Sequence, residues 1–161
     1  MTAVDLSEGM LAKAKQKITT ENVDFVHADI ISDPIPNAPF DAVVASLVLE
    51  HIVDLHHFFS LLAKLTIGGA HVFLSEIHPE RARRGALAHF KDPDGNEFRL
   101  SSVTHTEVEI ASAALKNGFV VEKKITAMGT DKLSILNSKW KKYLEVPMIQ
   151  MWKLTEASLH K

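Results

Sequence analysis

Two continuous apolar segments, with a helical pattern between them, constrain the fold of this chain most strongly. The segments DAVVAS (41–46) and AHVFLSE (70–76) carry apolar residues at both odd and even positions, which is typical of strands covered on both faces. Between them, Asp54 can cap a helix whose apolar residues share one stripe: Leu55, Phe58, Phe59, Leu62 and Leu65. A strand, a helix and a second strand in this order predict a parallel sheet flanked by helices.

The same alternation extends over the rest of the chain. The other predicted elements are, in chain order, a helix capped by Ser7, a strand ending near His27, a helix that begins with a capping box at Thr106 and Glu109 and ends at Gly118, a strand at 119–125, a helix at 131–144 and a strand at 146–154. We expect Gly68-Gly69 to end the helix after Asp54 in a left-handed conformation, and Asp94-Gly95 to turn a hairpin. No shift in composition marks a boundary, so a single domain over residues 1–161 is predicted.

The composition excludes several classes of function. The chain has no cysteine, which excludes disulfide bonds, a thiolate zinc site and a cysteine nucleophile. Its formal net charge is −2, so no basic field points to a nucleic acid. No apolar run approaches the ~20 residues of a membrane-spanning helix, and we expect a cytoplasmic protein without a nucleic-acid or membrane partner. His56 and His57 lack the i,i+4 spacing of a helical metal pair, so no metal site is predicted.

Acidic and polar residues follow the predicted strands at the points where the strands end. Asp5, Asp29, Ser46 and the segment 76–78 occupy these positions. In open α/β sheets, ligands bind in the crevice beyond the carboxyl ends of the strands. A carboxylate after one strand can accept hydrogen bonds from both ribose hydroxyls of a nucleoside. A second carboxylate, after the next strand, can accept one from the adenine amino group. The paired acids therefore favour a ligand that contains a nucleoside.

Four segments resemble class I S-adenosylmethionine-dependent methyltransferases, of the group similar to ubiquinone and menaquinone biosynthesis enzymes. They are AVDLSEGMLAKAKQK (3–17), DFVHADI (24–30), FDAVVASLVLEHIVDLHHFFSLLAKLTIGGAHVFLSE (40–76) and HTEVEIASAALKNGFVVEKK (105–124). The resemblance implies an α/β, Rossmann-like methyltransferase sheet, mostly parallel with an antiparallel last strand. It also implies S-adenosylmethionine as cofactor, with Asp5 at the ribose, Leu6, Met10, Asp29 and Ile30 at the adenine, and Ser46 and Leu47 at the floor of the site.

The first strand of that family and its glycine-rich G-x-G loop have no counterpart in this sequence. In the family both precede the segment that begins here at Met1, and none of the seven glycines forms a G-x-G motif. We therefore expect either a truncated sequence or a chain that has lost a working cofactor site. Because that strand is central in the family's sheet, its absence leaves two unpaired edges. Either TAVDL (2–6) pairs directly with DAVVAS, or a second chain pairs with the open edges. The second arrangement predicts a homodimer.

The resemblance implies methyl transfer to a small-molecule acceptor, with weak or absent activity in this chain alone. A general base is needed only if the acceptor must lose a proton. His51 and His78, which follow the two apolar strands, are the candidates because the pKa of histidine lies nearest neutrality. His105, at the start of a later helix, is a weaker candidate. The sequence does not identify the acceptor.

Two other functions stay open at this point. One is a methyltransferase-like remnant that serves as a dimeric binding module. The other is a metal-dependent protein of the glyoxalase and dioxygenase fold, because FKDPDGNEFRL (90–100) is similar to a turn of that fold. That fold expects a metal-binding acid where this chain has Arg99 and Leu100, and Glu97 lies two residues too early. The helical segments on either side also disfavour it.

Overall fold

The computed structural model describes residues 1–86, 89–92 and 94–157, whose strands form three separate sheets. The elements are β1 (Thr2–Asp5), α1 (Glu8–Lys17), β2 (Asp24–His27), β3 (Phe40–Ser46), a 3₁₀ turn (Leu49–His51), α2 (Leu55–Leu65), β4 (Thr66–Ile77), α3 (Pro79–Arg83), β5 (His89–Lys91), β6 (Glu97–Arg99), α4 (Glu107–Lys116), β7 (Phe119–Met128), α5 (Asp131–Leu136), a second 3₁₀ turn (Ser138–Tyr143) and β8 (Pro147–Glu156). Strand and helix alternate as the sequence predicts, except that β3 follows β2 and β6 follows β5 without a helix between them.

The largest sheet has four strands in the order β3-β4-β8-β7. The strands β3 and β4 are parallel, whereas β8 is antiparallel to both of its neighbours, β4 and β7. A second sheet contains only the parallel pair β1 and β2, and the hairpin of β5 and β6 forms the third. The predicted α/β sheet with an antiparallel last strand is therefore confirmed.

The strands β1 and β3 do not pair with each other. Within the part of the chain that the structure describes, β1 pairs with β2 alone and β3 pairs with β4 alone. Direct pairing of TAVDL with DAVVAS, one of the two expected arrangements, is therefore not found. Each of these strands has one edge without a ladder partner among the described residues.

One face of the four-stranded sheet carries the core. It packs on α2 and α4 through fully buried side chains that include Phe58, Phe59, Leu62, Val72, Leu74, Ile110, Phe119 and Leu154. The stripe predicted after Asp54 is thus the buried face of α2. The hydrophobic burial of these side chains is the main favourable term that holds the two layers together.

The other face of this sheet is open, which differs from the prediction. Both apolar strands are expected to be covered on both faces, yet Val44 is 77% exposed and Phe73 is 40% exposed. The helix α1 packs on β1 and β2 and not on this sheet. This open face carries the exposed apolar side chains of Val44 and Phe73 beside the polar side chains of His71 and Lys153, and parallel sheets seldom leave a face open to solvent.

The predicted helix ends are partly right. The caps at Ser7 and Asp54 and the capping box of Thr106 and Glu109 are confirmed, and Gly118 has a positive φ of 85° after α4. The prediction that Gly68-Gly69 ends α2 is wrong. The helix ends at Leu65, because Thr66 turns to extended backbone, pairs with Phe40 and begins β4; the two glycines lie within β4.

The predicted helix over 131–144 is interrupted. It consists of α5 and a separate 3₁₀ turn, divided at Asn137. The backbone of Asn137 is extended, and its side-chain oxygen accepts a hydrogen bond from Lys139 N at 3.0 Å. An asparagine that caps a new turn competes with continuation of the first helix. The predicted hairpin at Asp94-Gly95 is confirmed by the pairing of β5 with β6.

The capping box of α4 gives a direct test of the fold. Thr106→Ala removes the hydroxyl that accepts from Glu109 N at 3.3 Å, and we expect a loss of about 1 kcal/mol in the free energy of unfolding. The loss should be global because Ile110, Ala113 and Ala114 of α4 are buried in the core. Urea unfolding measures it, and Thr106→Ser is the control that keeps the hydroxyl. Equal stability of both variants would contradict the role of the cap.

Candidate functional site at the carboxyl ends of the strands

Two carboxylates lie at the carboxyl edge of the small sheet. Asp5 ends β1 and pairs in register with His27, the last residue of β2; Asp29 follows two residues later. The Asp5 carboxylate accepts a hydrogen bond from Ser7 N at 2.7 Å, and that of Asp29 accepts one from Ile31 N at 2.9 Å. Each bond uses one oxygen, and the described residues donate no hydrogen bond to the other oxygen of either side chain. Both acids can therefore accept further bonds from a ligand.

Exposed apolar side chains follow Asp5 closely in the sequence. Leu6 is 66% exposed and Met10, in the first turns of α1, is 54% exposed. Ile30 is partly buried and packs against the main core, so it connects the Asp29 turn to the large sheet. Carboxylates beside exposed apolar side chains suit a ligand that has both hydroxyl groups and an apolar ring.

The end of β3 forms a second group of candidate residues. The Ser46 hydroxyl accepts a hydrogen bond from the Ser75 hydroxyl at 2.8 Å. Leu47 has a φ of 56°, and its N–H donates to Ser75 O at 2.8 Å. A non-glycine residue in the left-handed region is strained, and such residues concentrate at binding sites. No hydrogen bond between described residues joins Ser46 or Leu47 to Asp5 or Asp29.

Glu76 is a buried acid beside this second group. From the sequence it is expected at a strand end, but no role is expected for it. Its side chain is only 4% exposed, and Oε1 accepts hydrogen bonds from Val48 N at 3.1 Å and Leu49 N at 3.0 Å. The carboxylate thus caps the 3₁₀ turn that follows Leu47. Burial raises the pKa of Glu76 to about 7; the two backbone hydrogen bonds oppose this effect, and the nearby charge of Glu50 adds to it.

The candidate bases differ in what their ring nitrogens contact. The His51 ring is half-exposed, and Nε2 lies 4.0 Å from Glu50 Oε1. In His78, Nδ1 accepts the N–H of Glu80 at 3.1 Å and caps α3. The proton of the neutral His78 ring is therefore on Nε2, and its lone pair is used within the protein. Desolvation lowers the pKa of His78, which weakens it further as a base.

The hairpin that resembles a metal-dependent fold forms its own two-stranded sheet. Among the described residues, no three His, Asp or Glu side chains are grouped so that they could hold a metal ion. In the same part of the chain, no helix is long and apolar enough to cross a membrane.

The chain is similar in sequence to methyltransferases. Residues 1–74 match a family described as methyltransferase domain. An uncharacterized methyltransferase of Mycobacterium tuberculosis is 36% identical over 80 residues, which are 49% of this chain and 41% of that protein. The malonyl-(acyl-carrier protein) O-methyltransferase of Serratia marcescens is 27% identical over 142 residues, which are 86% of this chain and 52% of that protein. The chain thus spans about half or less of the length of these curated relatives.

Solved structures share the fold over nearly the whole chain. An S-adenosylmethionine dependent methyltransferase from Mesorhizobium loti has a TM-score of 0.72 at 21% identity, over 96% of this chain and 79% of that chain. The N-methyltransferase NodS from Bradyrhizobium japonicum, in complex with S-adenosyl-l-homocysteine, has a TM-score of 0.65 at 12% identity, over 96% of this chain and 65% of that chain.

The fold comparison and the sequence comparison agree on the class of protein that this chain resembles. The resemblance to class I S-adenosylmethionine-dependent methyltransferases is confirmed, in fold over almost all of the chain and in sequence over its first 74 residues. S-adenosylmethionine is the cofactor of this class.

Proposed function

We propose that this chain binds S-adenosylmethionine at the carboxyl ends of β1, β2 and β3 and serves methyl transfer to a small molecule. The observation that carries the proposal is the pair of carboxylates, Asp5 and Asp29, at adjacent strand ends. Each has an oxygen available to a ligand and exposed apolar side chains nearby. Asp5 is proposed to bind the ribose hydroxyls, with Leu6, Met10, Asp29 and Ile30 around the adenine. Ser46 and Leu47 form the floor.

The reaction needs little chemistry from the protein. The cofactor supplies an electrophilic methyl group on a positively charged sulfur, so positioning of the acceptor accounts for most of the catalysis. If the acceptor must lose a proton, we propose His51 as the base. Its ring is half-exposed and lies beside Glu50, whereas the Nδ1 lone pair of His78 already caps α3.

Substitution of Asp5 tests the cofactor site. Asp5→Asn removes the charge that strengthens hydrogen bonds to ribose hydroxyls, and such bonds contribute about 1.5–3 kcal/mol. We expect the affinity for S-adenosylmethionine to fall at least tenfold, as measured by a ligand-observed NMR titration. Asp41→Asn is the control, because Asp41 is an exposed acid at the opposite, amino-terminal end of β3. Equal affinities in the two variants would overturn the assignment of Asp5.

We propose as a second candidate a dimeric binding module, with or without catalysis. The open edges of β1 and β3 and the uncovered sheet face support it. Unpaired strand edges favour association with another chain, and Val44 and Phe73, paired in register on the open face, add exposed apolar surface. A second copy presents the same edges, so it is the occupant we favour.

Light scattering tests the association. We expect a dimer at micromolar concentration, and Val44→Lys, on the open sheet face, should shift it toward monomer. Val108→Lys is a matched control, since Val108 on α4 is 76% exposed and Val44 is 77% exposed. A wild-type chain that stays monomeric at micromolar concentration would contradict the dimer.

A further inference from the structure

The short helix α3 carries three arginines whose side chains have different partners. Arg83 and Arg84 both form ion pairs with Glu80, at 2.5 and 3.1 Å. Arg81 forms no ion pair with any residue that the structure describes, and its Nε is buried without a hydrogen-bond partner. Buried N–H groups in native proteins nearly always have an acceptor, so each exception needs an explanation. Arg81 is the exception in this helix.

The charge of Arg81 lies beside an aromatic ring. Its Cζ is 5.6 Å from the centre of the Tyr143 ring, and Nζ of the exposed Lys142 is 4.9 Å from the same centre. A ring face attracts a cation but offers no oxygen to the N–H donors. Lys142, like Arg81, forms no ion pair among the described residues. Two cations therefore share one ring with no acid paired to either of them, which favours an anion at this position.

These cations lie at the same edge of the large sheet as the proposed cofactor floor. The helix α3 begins two residues after β4 ends at Ile77, and Tyr143 precedes β8, whose first residues are antiparallel to the last residues of β4. In the sheet, β4 is adjacent to β3 and β8 is adjacent to β4, so their ends lie about 5 and about 10 Å to the side of the end of β3. Ser46 and Leu47 end β3. A small molecule beside the cofactor can span such a distance.

We propose that Arg81, together with Lys142, binds an oxyanion of the methyl acceptor, either a carboxylate or a phosphate group. The proposal rests on the proposed methyltransferase function and narrows its acceptor to small molecules that carry such a group. The planar guanidinium donates two parallel hydrogen bonds to either group, and Lys142 adds a second positive charge. Because Arg81 as a whole is only partly buried, a ligand can reach the guanidinium.

Acetate and inorganic phosphate are the probes for this site. The chain has four arginines, so ¹⁵N-labelled protein gives few Nε–H resonances, and that of Arg81 is identified by its absence in Arg81→Lys. Each probe is titrated separately, with sodium chloride holding the ionic strength constant. We expect a saturable shift of the Arg81 resonance, and the probe with the lower dissociation constant identifies the group on the acceptor. An Arg81 resonance that responds to neither probe would overturn the proposal.

Substitution of Arg81 separates a specific site from general attraction to a basic surface. Arg81→Lys keeps a positive charge beside Tyr143 but removes the guanidinium fork, so binding of the preferred probe should weaken about tenfold, as measured at the backbone amide of Tyr143. Lys142→Gln removes an exposed charge and should weaken it about threefold. Arg84→Lys is the matched control and should bind as the wild type does. Wild-type affinity in Arg81→Lys, as general attraction predicts, would overturn the proposal.

A titration of the same sample with S-adenosylmethionine separates this proposal from the proposed function. Cofactor shifts at the amides of Leu6 and Ile30 without a response to acetate or phosphate would reject the oxyanion site alone. A response of Arg81 to one of these anions without cofactor shifts would support an anion-binding site and reject the methyltransferase function.

Discussion

S-adenosylmethionine is expected to bind this 161-residue chain with a dissociation constant near millimolar, which corresponds to about −4 kcal/mol. Asp5 and Asp29 can supply hydrogen bonds to the ribose and adenine, each worth about 0.5–3 kcal/mol. The sequence has no G-x-G motif for the methionine end of the cofactor, so that half of the ligand lacks the close backbone approach that such a loop provides. Isothermal titration calorimetry at high protein concentration measures the constant.

A chain extended at its amino terminus tests whether the missing loop causes the weak binding of S-adenosylmethionine; it is called the fused chain below. A strand and a G-x-G loop placed ahead of Met1 should pair with the open edges of β1 and β3 and bring the constant to the micromolar range, a gain of about 4 kcal/mol. In the fused chain, Asp5→Ala should remove much of the gain, whereas Asp41→Ala at the other end of β3 should not. Micromolar binding by the unfused chain would contradict the account, because some other segment would then have to replace the loop.

Glu76→Gln is expected to raise the free energy of unfolding at pH 8 by up to about 3 kcal/mol. Burial raises the folded-state pKa of Glu76 from 4.5 to about 7, and each pH unit of difference is worth about 1.4 kcal/mol. A raised folded pKa means that the protonated side chain stabilises the fold. This contribution is fully present below pH 4.5 and is lost as the pH rises through 7. Glutamine resembles the protonated acid at every pH.

Urea unfolding at a series of pH values from 5 to 8 measures this effect. The wild type should lose stability as the pH rises to about 7, and Glu76→Gln should lose less over the same range. Glu21→Gln, at an exposed position, should follow the wild type. A wild type and a Glu76→Gln variant with parallel pH dependences would show that Glu76 does not carry the shifted titration.

Local signals in the sequence predict the elements well but predict their surroundings poorly. The caps at Ser7, Asp54 and Thr106 are confirmed because each is decided by a few neighbouring residues. The apolar strand DAVVAS is read as covered on both faces, yet Val44 is largely exposed, because hydrophobicity does not reveal whether a covering element is present. Gly68-Gly69 is read as a helix end, but the ladder partner of Thr66, which decides the boundary, lies 26 residues earlier at Phe40.

The candidate site likewise contains residues that local sequence patterns predict and residues whose placement depends on the tertiary fold. Asp5 and Asp29 can be placed from the sequence because strand ends can be read from patterns, and parallel strands bring their ends to one edge. The buried Glu76 and its neighbour Gln150 meet only through the antiparallel register of β4 and β8, which no local pattern specifies. The strained backbone of Leu47 is likewise a product of the tertiary fold, since leucine carries no preference for the left-handed region.

Chemical-shift mapping with S-adenosylmethionine tests the central claim most directly. Titration to several millimolar should shift the backbone amides at the carboxyl ends of the strands, at Leu6, at Asp29 and Ile30, and at Ser46 and Leu47. Amides of β7, at the opposite edge of the large sheet from β3, should not respond. Shifts confined to β7, or an unchanged spectrum at these concentrations, would contradict a cofactor site at the carboxyl ends of β1, β2 and β3.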